Sequence, residues 1–442
     1  MNGEVAISGV AGYERRQIRG VAFALGFFFS FRIAIVLIAA NLFGLEPSTG
    51  SALSLGLDLL LFFLVCFDSV GSVVKSAKPI LPLTAVRWVL AYLAISALSL
   101  IWSETASLTN SMAYWFGLAI DAASVALLLR TGSGTSEVSS IMKGFIWSSC
   151  FLALVAWIMP VQPDLRLGDE QFFNTNEIGN LCAVSIFFAQ FLTRRNREPL
   201  RLAKFLLLLT LVRSLSKSTL LAFLAAQCVL LVLDRSMSRK SKIALLGCAF
   251  TLILVFWGLF EAYYDVYTTA GNQAETLTGR TAIWLYVLNA AFDHPWTLWI
   301  GHGFDSWWRV VPPFGNELFE ARHAENEMLQ QFYAYGVMGL VLLAGIYGGL
   351  AWQLRKLTRS PVKILLICMM VFIVVRGIAV ADSFDLLLPM WAIVMLSLII
   401  EQVRSEQAVT APASSQRENS IAIAARRLPA FDRQKAKSPH PG

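Results

Sequence analysis

Between residues 21 and 400 the chain alternates long apolar runs with short polar connections. A helix that crosses a bilayer needs about 20 mostly apolar residues. About twelve stretches approach that length: 21–43, 52–74, 84–101, 111–129, 141–160, 177–193, 202–214, 218–233, 243–260, 328–350, 364–381 and 386–400. The pattern predicts an all-α polytopic membrane protein.

Composition points the same way. Of 442 residues, 56% are hydrophobic and 15% charged, with a mean hydropathy of +0.61. Soluble domains carry about 45–50% apolar and about 25% charged residues. A disordered chain, a coiled coil and a disulfide-rich secreted scaffold are excluded. Cys66, Cys150, Cys182, Cys228, Cys248 and Cys368 all fall inside apolar runs, with no CxxC or Cys/His cluster. They support neither a disulfide framework nor a zinc site. Arg15, Arg16 and Arg19 precede the first run, but no small-residue cleavage site follows. That run reads as a retained span rather than a signal peptide.

The formal charge of +7 arises from 36 Lys and Arg against 29 acids. These cations sit between apolar runs, as in a membrane protein, so no nucleic acid is expected as a partner. Residues 194–204 hold five Lys/Arg and one acid, 234–242 four and one, and 351–363 four and none. The alternate connections 44–51, 102–110 and 161–175 are poor in Lys/Arg. The positive-inside bias places the basic loops and both termini in the cytoplasm, and an even number of spans agrees.

The expected organisation is a cytoplasmic segment 1–20, a membrane domain 21–260, an outer lid loop 261–327, a second membrane portion 328–400, and a disordered cytoplasmic tail 401–442 rich in Ala, Ser, Gln and Arg. The lid carries nine acids against Arg280, Arg309 and Arg322, and five tryptophans: Trp284, Trp296, Trp299, Trp307 and Trp308. Its stretch TAIWLYVLNAAF reads as an interfacial helix.

Several polar residues stand where polar groups are costly. Arg213 and Lys217 lie in LVRSLSKSTLLA, on the side where cations are scarce, among Ser214, Ser216, Ser218 and Thr219. Hydroxyls and cations together suit a phosphate or pyrophosphate, while snorkelling of basic side chains is the plainer alternative. Arg280 follows Thr278, a candidate N-cap, at the start of the lid helix, where an anion is favoured. His323 precedes Glu325 and Asn326 at the start of the tenth run, and histidine is the usual acceptor of a hydroxyl proton. His302 and His294 read as structural. Arg32, Asp58, Asp68, Asp121 and Arg376 fall inside apolar runs and are expected to pair or to face a cavity. No acid–histidine grouping has metal-ligand spacing, so neither a metal nor another cofactor is expected.

Four stretches carry a resemblance to the O-antigen ligase and polysaccharide polymerase superfamily (Wzy/WaaL-like), within it to exopolysaccharide polymerases of the ExoQ type. ALSLIWSETASLT (97–109) resembles a Ser-x-x-Trp-Ser element. FFNTNEIGNLCA (172–183) is similar to a Pro-Asn-x-x-Gly element, with Thr175 in place of proline. SLSKSTLLA (214–222) resembles a Ser-Arg-x-x element, with Lys217 for arginine. TGRTAIW (278–284), HPWTLWIGHGFDSW (294–307) and HAENEMLQQFYAYGVMG (323–339) together resemble the family's large-loop signature.

The resemblance implies a GT-C-like membrane glycosyltransferase in the bacterial inner membrane, acting on polyprenyl-pyrophosphate-linked oligosaccharide at the outer face. By carry-over, Arg280 and His323 are the essential lid residues. Arg213 or Lys217 supplies a second cation, and Ser216, Asn176, Asn326 and Glu325 line the substrate site. Such chemistry needs cations on the leaving pyrophosphate and a base on the acceptor hydroxyl. It runs without metal and inverts the anomeric centre. A polymerase of repeat units, working beside a flippase and a chain-length co-polymerase, is the reading adopted. A ligase moving finished glycan onto lipid A core or protein is the alternative, and a transporter or flippase is the alternative of another class.

Overall fold

A computed structural model describes residues 20–71, 82–131, 134–162, 165–168, 173–235, 238–255, 257–258, 261, 277–307, 323–382 and 384–427. Trp308, Arg309 and Arg322 of the lid lie outside the described residues, as do residues 1–19, with Arg15, Arg16 and Arg19, and residues 428–442.

The protein is all-α. Its helices are α1 Gly20–Leu37, continued by a π-turn Ile38–Leu42, α2 Pro47–Gly71, α3 Thr84–Ser99, α4 Leu108–Thr131, α5 Thr135–Ile158, α6 Thr175–Asn196, α7 Arg201–Arg213, α8 Lys217–Leu233 and α9 Arg239–Val255. The lid region contributes α10 Leu277–Ala290 and the short α11 Thr297–Ile300, and the chain ends in α12 Glu327–Arg355, α13 Pro361–Gly377 and α14 Met390–Arg427. Each apolar run coincides with a helix. Among the described residues five helices are long and apolar enough to cross a membrane, and Thr84–Ser99 and Lys217–Leu233 are shorter apolar helices.

Local chemistry sets several boundaries. The Asn174, Asn326 and Ser360 side chains accept the Glu177, Leu329 and Lys363 backbone N–H groups, capping α6, α12 and α13, and such caps satisfy otherwise orphaned donors. Asn326 puts Glu327 inside α12, so the expected lid boundary moves by one residue. α10 begins at Leu277, which places Thr278 inside its first turn rather than at the cap.

The start of α14 forms the centre. Its residues from Met390 to Ile400 are buried on every face, and Trp391 stacks on Phe29 of α1 at 4.1 Å. Around it, α2 shows Leu53, Leu60, Phe63 and Phe67 outward, the lipid-facing arrangement of a membrane bundle. The expected tail boundary at 400 falls inside a helix, because α14 continues to Arg427. Glu401 and Glu406 account for its first turns beyond 400, pairing with Arg130 at 3.0 Å and Arg195 at 2.6 Å. At this same end Arg194 pairs with buried Asp234 at 2.9 Å, so the basic loops are knitted to the bundle.

The charges inside the apolar runs resolve unequally. Arg32 pairs with Asp121 at 2.6 Å, and this pair removes the cost of two isolated charges. Arg376 has no acid within 4.0 Å among the described residues.

At the opposite end the lid locks onto the bundle. α12 breaks its helical geometry at Gly336 (φ 60°, ψ −149°). Into this notch fit His302, whose N–H donates to Tyr333 O at 3.0 Å, and Gly303, whose N–H donates to Ala334 O at 2.8 Å. The lid strand then reaches the α3–α4 connection. Glu104 N–H donates to His302 O at 3.0 Å, Phe304 N–H donates to Ser99 Oγ at 3.0 Å, and Ser103 Oγ donates to Phe304 O. Asp305 Oδ2 accepts from Ser111 Oγ at 2.6 Å and from Thr105 Oγ1 at 3.2 Å. The Ser-x-x-Trp-Ser element and the Gly-His-Gly-Phe stretch 301–304 of the lid are thus two halves of one latch.

Candidate active site

Beneath that latch, α10 packs Ile283, Val287 and Ala290 against Trp307, Ala324 and Tyr333. Its apolar face fixes its first turn, and with it Arg280, over the start of α12. Trp284 Nε1 donates to Ala324 O at 3.1 Å, and Ala324 N–H donates to Gln330 Oε1 at 2.8 Å. These bonds hold the segment 323–326 between two helices.

Glu325 occupies the centre of this segment. Its φ of 51° is left-handed, a conformation that costs a side-chain-bearing residue about 1–3 kcal/mol. The kink turns its carboxylate back on its neighbours. Oε2 lies 3.3 Å from Arg280 Nη2, and Oε1 lies 3.5 Å from His323 Nδ1. The Glu325 N–H also donates to His323 Nδ1 at 3.2 Å. One lone pair serves that bond, and a proton on Nδ1 would instead face the carboxylate. Arg280, His323 and Glu325 are each about one-fifth exposed, so all three are reachable from the lid side.

Two residues further on, the environment reverses. Glu327 is buried, and its Oε1 accepts from Tyr347 Oη at 2.8 Å and from Leu387 N–H at 3.0 Å. It ties α12 to the α13–α14 turn and does not face the lid.

The second group stands on α6 and α8. Ser216 Oγ donates to Asn176 Oδ1 at 2.7 Å and lies 2.8 Å from Thr219 Oγ1, while Thr175 Oγ1 donates to Ser214 O. A Cβ on Gly179 would press within 3.2 Å of Ser216 and Thr219, so the glycine of that sequence element permits this close approach. Lys217 is the first residue of α8. Arg213 Nη1 donates to Leu165 O at 2.8 Å, which directs its guanidinium toward the α5–α6 connection.

Two links join the groups. Asn326 Nδ2 donates to Ile378 O at 3.0 Å, and Arg376 Nη2 donates to Asn176 O at 3.4 Å. The end of α13 therefore lies between the His323–Glu325–Arg280 group and the Asn176–Ser216 group. Every residue expected in the site falls at this one end of the bundle. The sequence reading did not place Arg376 there. Its only signal was a cation inside an apolar run with no visible partner.

The other two histidines of the lid have packing roles. His302 stacks on Tyr333 at 4.4 Å, with Nδ1 3.1 Å from Glu104 Oε2, and His294 stacks on Trp296 at 4.6 Å.

A family model described as O-antigen ligase matches residues 202–344. The matched stretch runs from α7 into α12 and contains Arg213, Ser216, Lys217, Arg280, His323, Glu325 and Asn326, but neither Asn176 nor Arg376. No curated protein matches the chain.

Proposed function

We propose that this chain, whose residues 202–344 belong to the O-antigen ligase family, is a polymerase that joins polyprenyl-pyrophosphate-linked oligosaccharides at the outer face of the bacterial inner membrane. The observation that carries this reading is the Arg280–Glu325–His323 group, a cation and a base on one carboxylate beneath a lid.

The reaction is a single displacement. His323 Nε2 takes the proton of an acceptor sugar hydroxyl in the tautomer that carries the ring proton on Nδ1. That proton replaces the bond Nδ1 accepts from the Glu325 N–H and is directed at the Glu325 carboxylate 3.5 Å away. This is the arrangement in which a carboxylate orients an imidazole and stabilises its cation. The hydroxyl oxygen forms the new bond to the anomeric carbon from the face opposite the leaving group. The bond from that carbon to the pyrophosphate oxygen breaks, and the electron pair leaves with the lipid pyrophosphate. Arg280, with Lys217 or Arg213, neutralises the charge that develops there. Ser216, Asn176 and Asn326 orient the donor. Inversion follows, and no metal takes part.

The likeness to exopolysaccharide polymerases favours chain growth, with a flippase supplying substrate and a co-polymerase limiting length. The family model's own description favours a ligase, which is the second reading. Purified enzyme in lipid nanodiscs, given lipid-linked repeat units alone, decides between them. A ladder of lipid-linked products means a polymerase. Product that forms only when lipid A core is added means a ligase. In a parallel preparation in sealed lipid vesicles, substrate that is moved across the membrane without new glycosidic bonds rejects both.

A further inference from the structure

We propose that Arg376 is a further pyrophosphate-binding residue, resting on the glycosyl-transfer reading above. It stands in the last turn of α13 and is 3% exposed. Among the described residues its Nε and Nη1 have no hydrogen-bond partner, and its Nη2 makes the 3.4 Å bond to Asn176 O. A guanidinium carries five N–H donors arranged for bidentate oxygen ligands, and most of these are unused.

The contrast with Arg32 is informative. In the same bundle Arg32 holds Asp121 at 2.6 Å, whereas no carboxylate lies within 4.0 Å of Arg376 among the described residues. Glu327, Glu177 and Asp382 act on it from farther away, and Glu327 is already committed to Tyr347 and Leu387. A buried cation without a close counter-charge is costly.

The C-terminal turn of α13 favours a cation, but two neighbouring helix starts oppose it. α6 and α8, of 22 and 17 residues, both begin beside this side chain through Asn176 and Ser216. Helix N-termini carry partial positive charge and favour anions. A cation placed against two such ends is repelled until an anion arrives. The missing partner is therefore a multivalent oxyanion, and a lipid diphosphate supplies two phosphoryl groups. Arg376 would hold one of them from the bundle side while Arg280 meets the other from the lid. A monophosphate offers one phosphoryl group rather than two.

The test measures binding of geranylgeranyl diphosphate and geranylgeranyl monophosphate to the full-length protein in nanodiscs. Wild type is expected to prefer the diphosphate. Arg376→Gln should lose diphosphate affinity by about tenfold to a hundredfold, the range for a charge-assisted hydrogen bond, with a much smaller change toward the monophosphate. Arg376→Lys keeps the charge and loses the fork. It should show the same selective loss in milder form, and it provides the measurement if the glutamine variant fails to reach the membrane. Unchanged diphosphate selectivity in the variant that folds overturns the role and leaves Arg376 as a tie between α13 and α6. Wild type that binds neither probe rejects the glycosyl-transfer reading itself.

Discussion

Glu325 Oε1 lies 3.5 Å from His323 Nδ1, held there by a left-handed backbone at Glu325. Strain that persists at one residue is characteristic of sites where geometry serves chemistry. Glu325→Gly should relieve the strain without lowering the thermal midpoint, while turnover falls by about tenfold or more as the imidazole loses its orienting carboxylate. Turnover and Tm on the same purified sample check this. Full activity in the glycine variant would remove Glu325 from the mechanism.

His323→Ala and His323→Gln should both lose about 10²–10⁴-fold in turnover, the usual contribution of a general base, with donor binding retained. Glutamine keeps a hydrogen bond but offers no basic nitrogen. A glutamine variant with near-normal turnover would make His323 an orienting donor, and Glu325 would then be the base to test. Glu327, buried against Tyr347 and Leu387, is not available for that role.

Arg280→Lys should rescue poorly compared with wild type, since an ammonium cannot reproduce the planar fork on a phosphoryl group. The expected loss is about 10-fold to 100-fold in kcat/KM, measured with protein levels in the membrane held equal. Full activity of the lysine variant would reduce Arg280 to a diffuse positive charge.

The latch is expected to be intolerant of added bulk. Gly303 has φ 93°, and a Cβ there would collide with Ser103 of the α3–α4 connection. Gly303→Ala should free the lid strand from the notch at Gly336. The readout is faster proteolysis within 294–307, accompanied by loss of activity. Asp305→Ala should act in the same direction more weakly, because it removes side-chain bonds to Ser111 and Thr105 and leaves the backbone bonds of the latch in place.

Asp385, in the turn before α14, sets a pH dependence of stability. Burial pushes its carboxyl well above the usual range, reinforced by Asp382, although the Leu386 and Met390 N–H groups oppose the shift. A carboxyl raised in the folded state binds its proton more tightly there than in the unfolded chain. It therefore favours folding below the unfolded value, and that contribution is lost as pH rises toward the folded value. Asp385→Asn keeps an acceptor for those N–H groups and removes the charge. It should raise Tm at pH 7.5 by about 2–4 °C, corresponding to roughly 1 kcal/mol, and flatten the slope of Tm against pH. A variant less stable than wild type at pH 7.5 would show that Asp385 is needed as an anion.

The helices were legible in the sequence because a chain in lipid must satisfy its backbone hydrogen bonds locally, so an apolar run of sufficient length already specifies a helix. Arg280, His323 and Ser216 stood out as candidates for a related reason, because polar side chains at the ends of apolar runs are costly, whereas Asn176 came from the family resemblance. What lay beyond the sequence was every relationship that depends on which helix end meets which. Glu325 and Glu327 are two residues apart and chemically alike, yet one faces the lid and the other is locked against Tyr347. A left-handed φ at the first and a helix start at the second decide this. The same holds for Ser103 and Phe304, joined across about 200 positions of chain, and for Arg376 and Asn176. Local pattern determines where a helix forms, but the partner of a side chain at its end is decided by packing between helices distant in the chain.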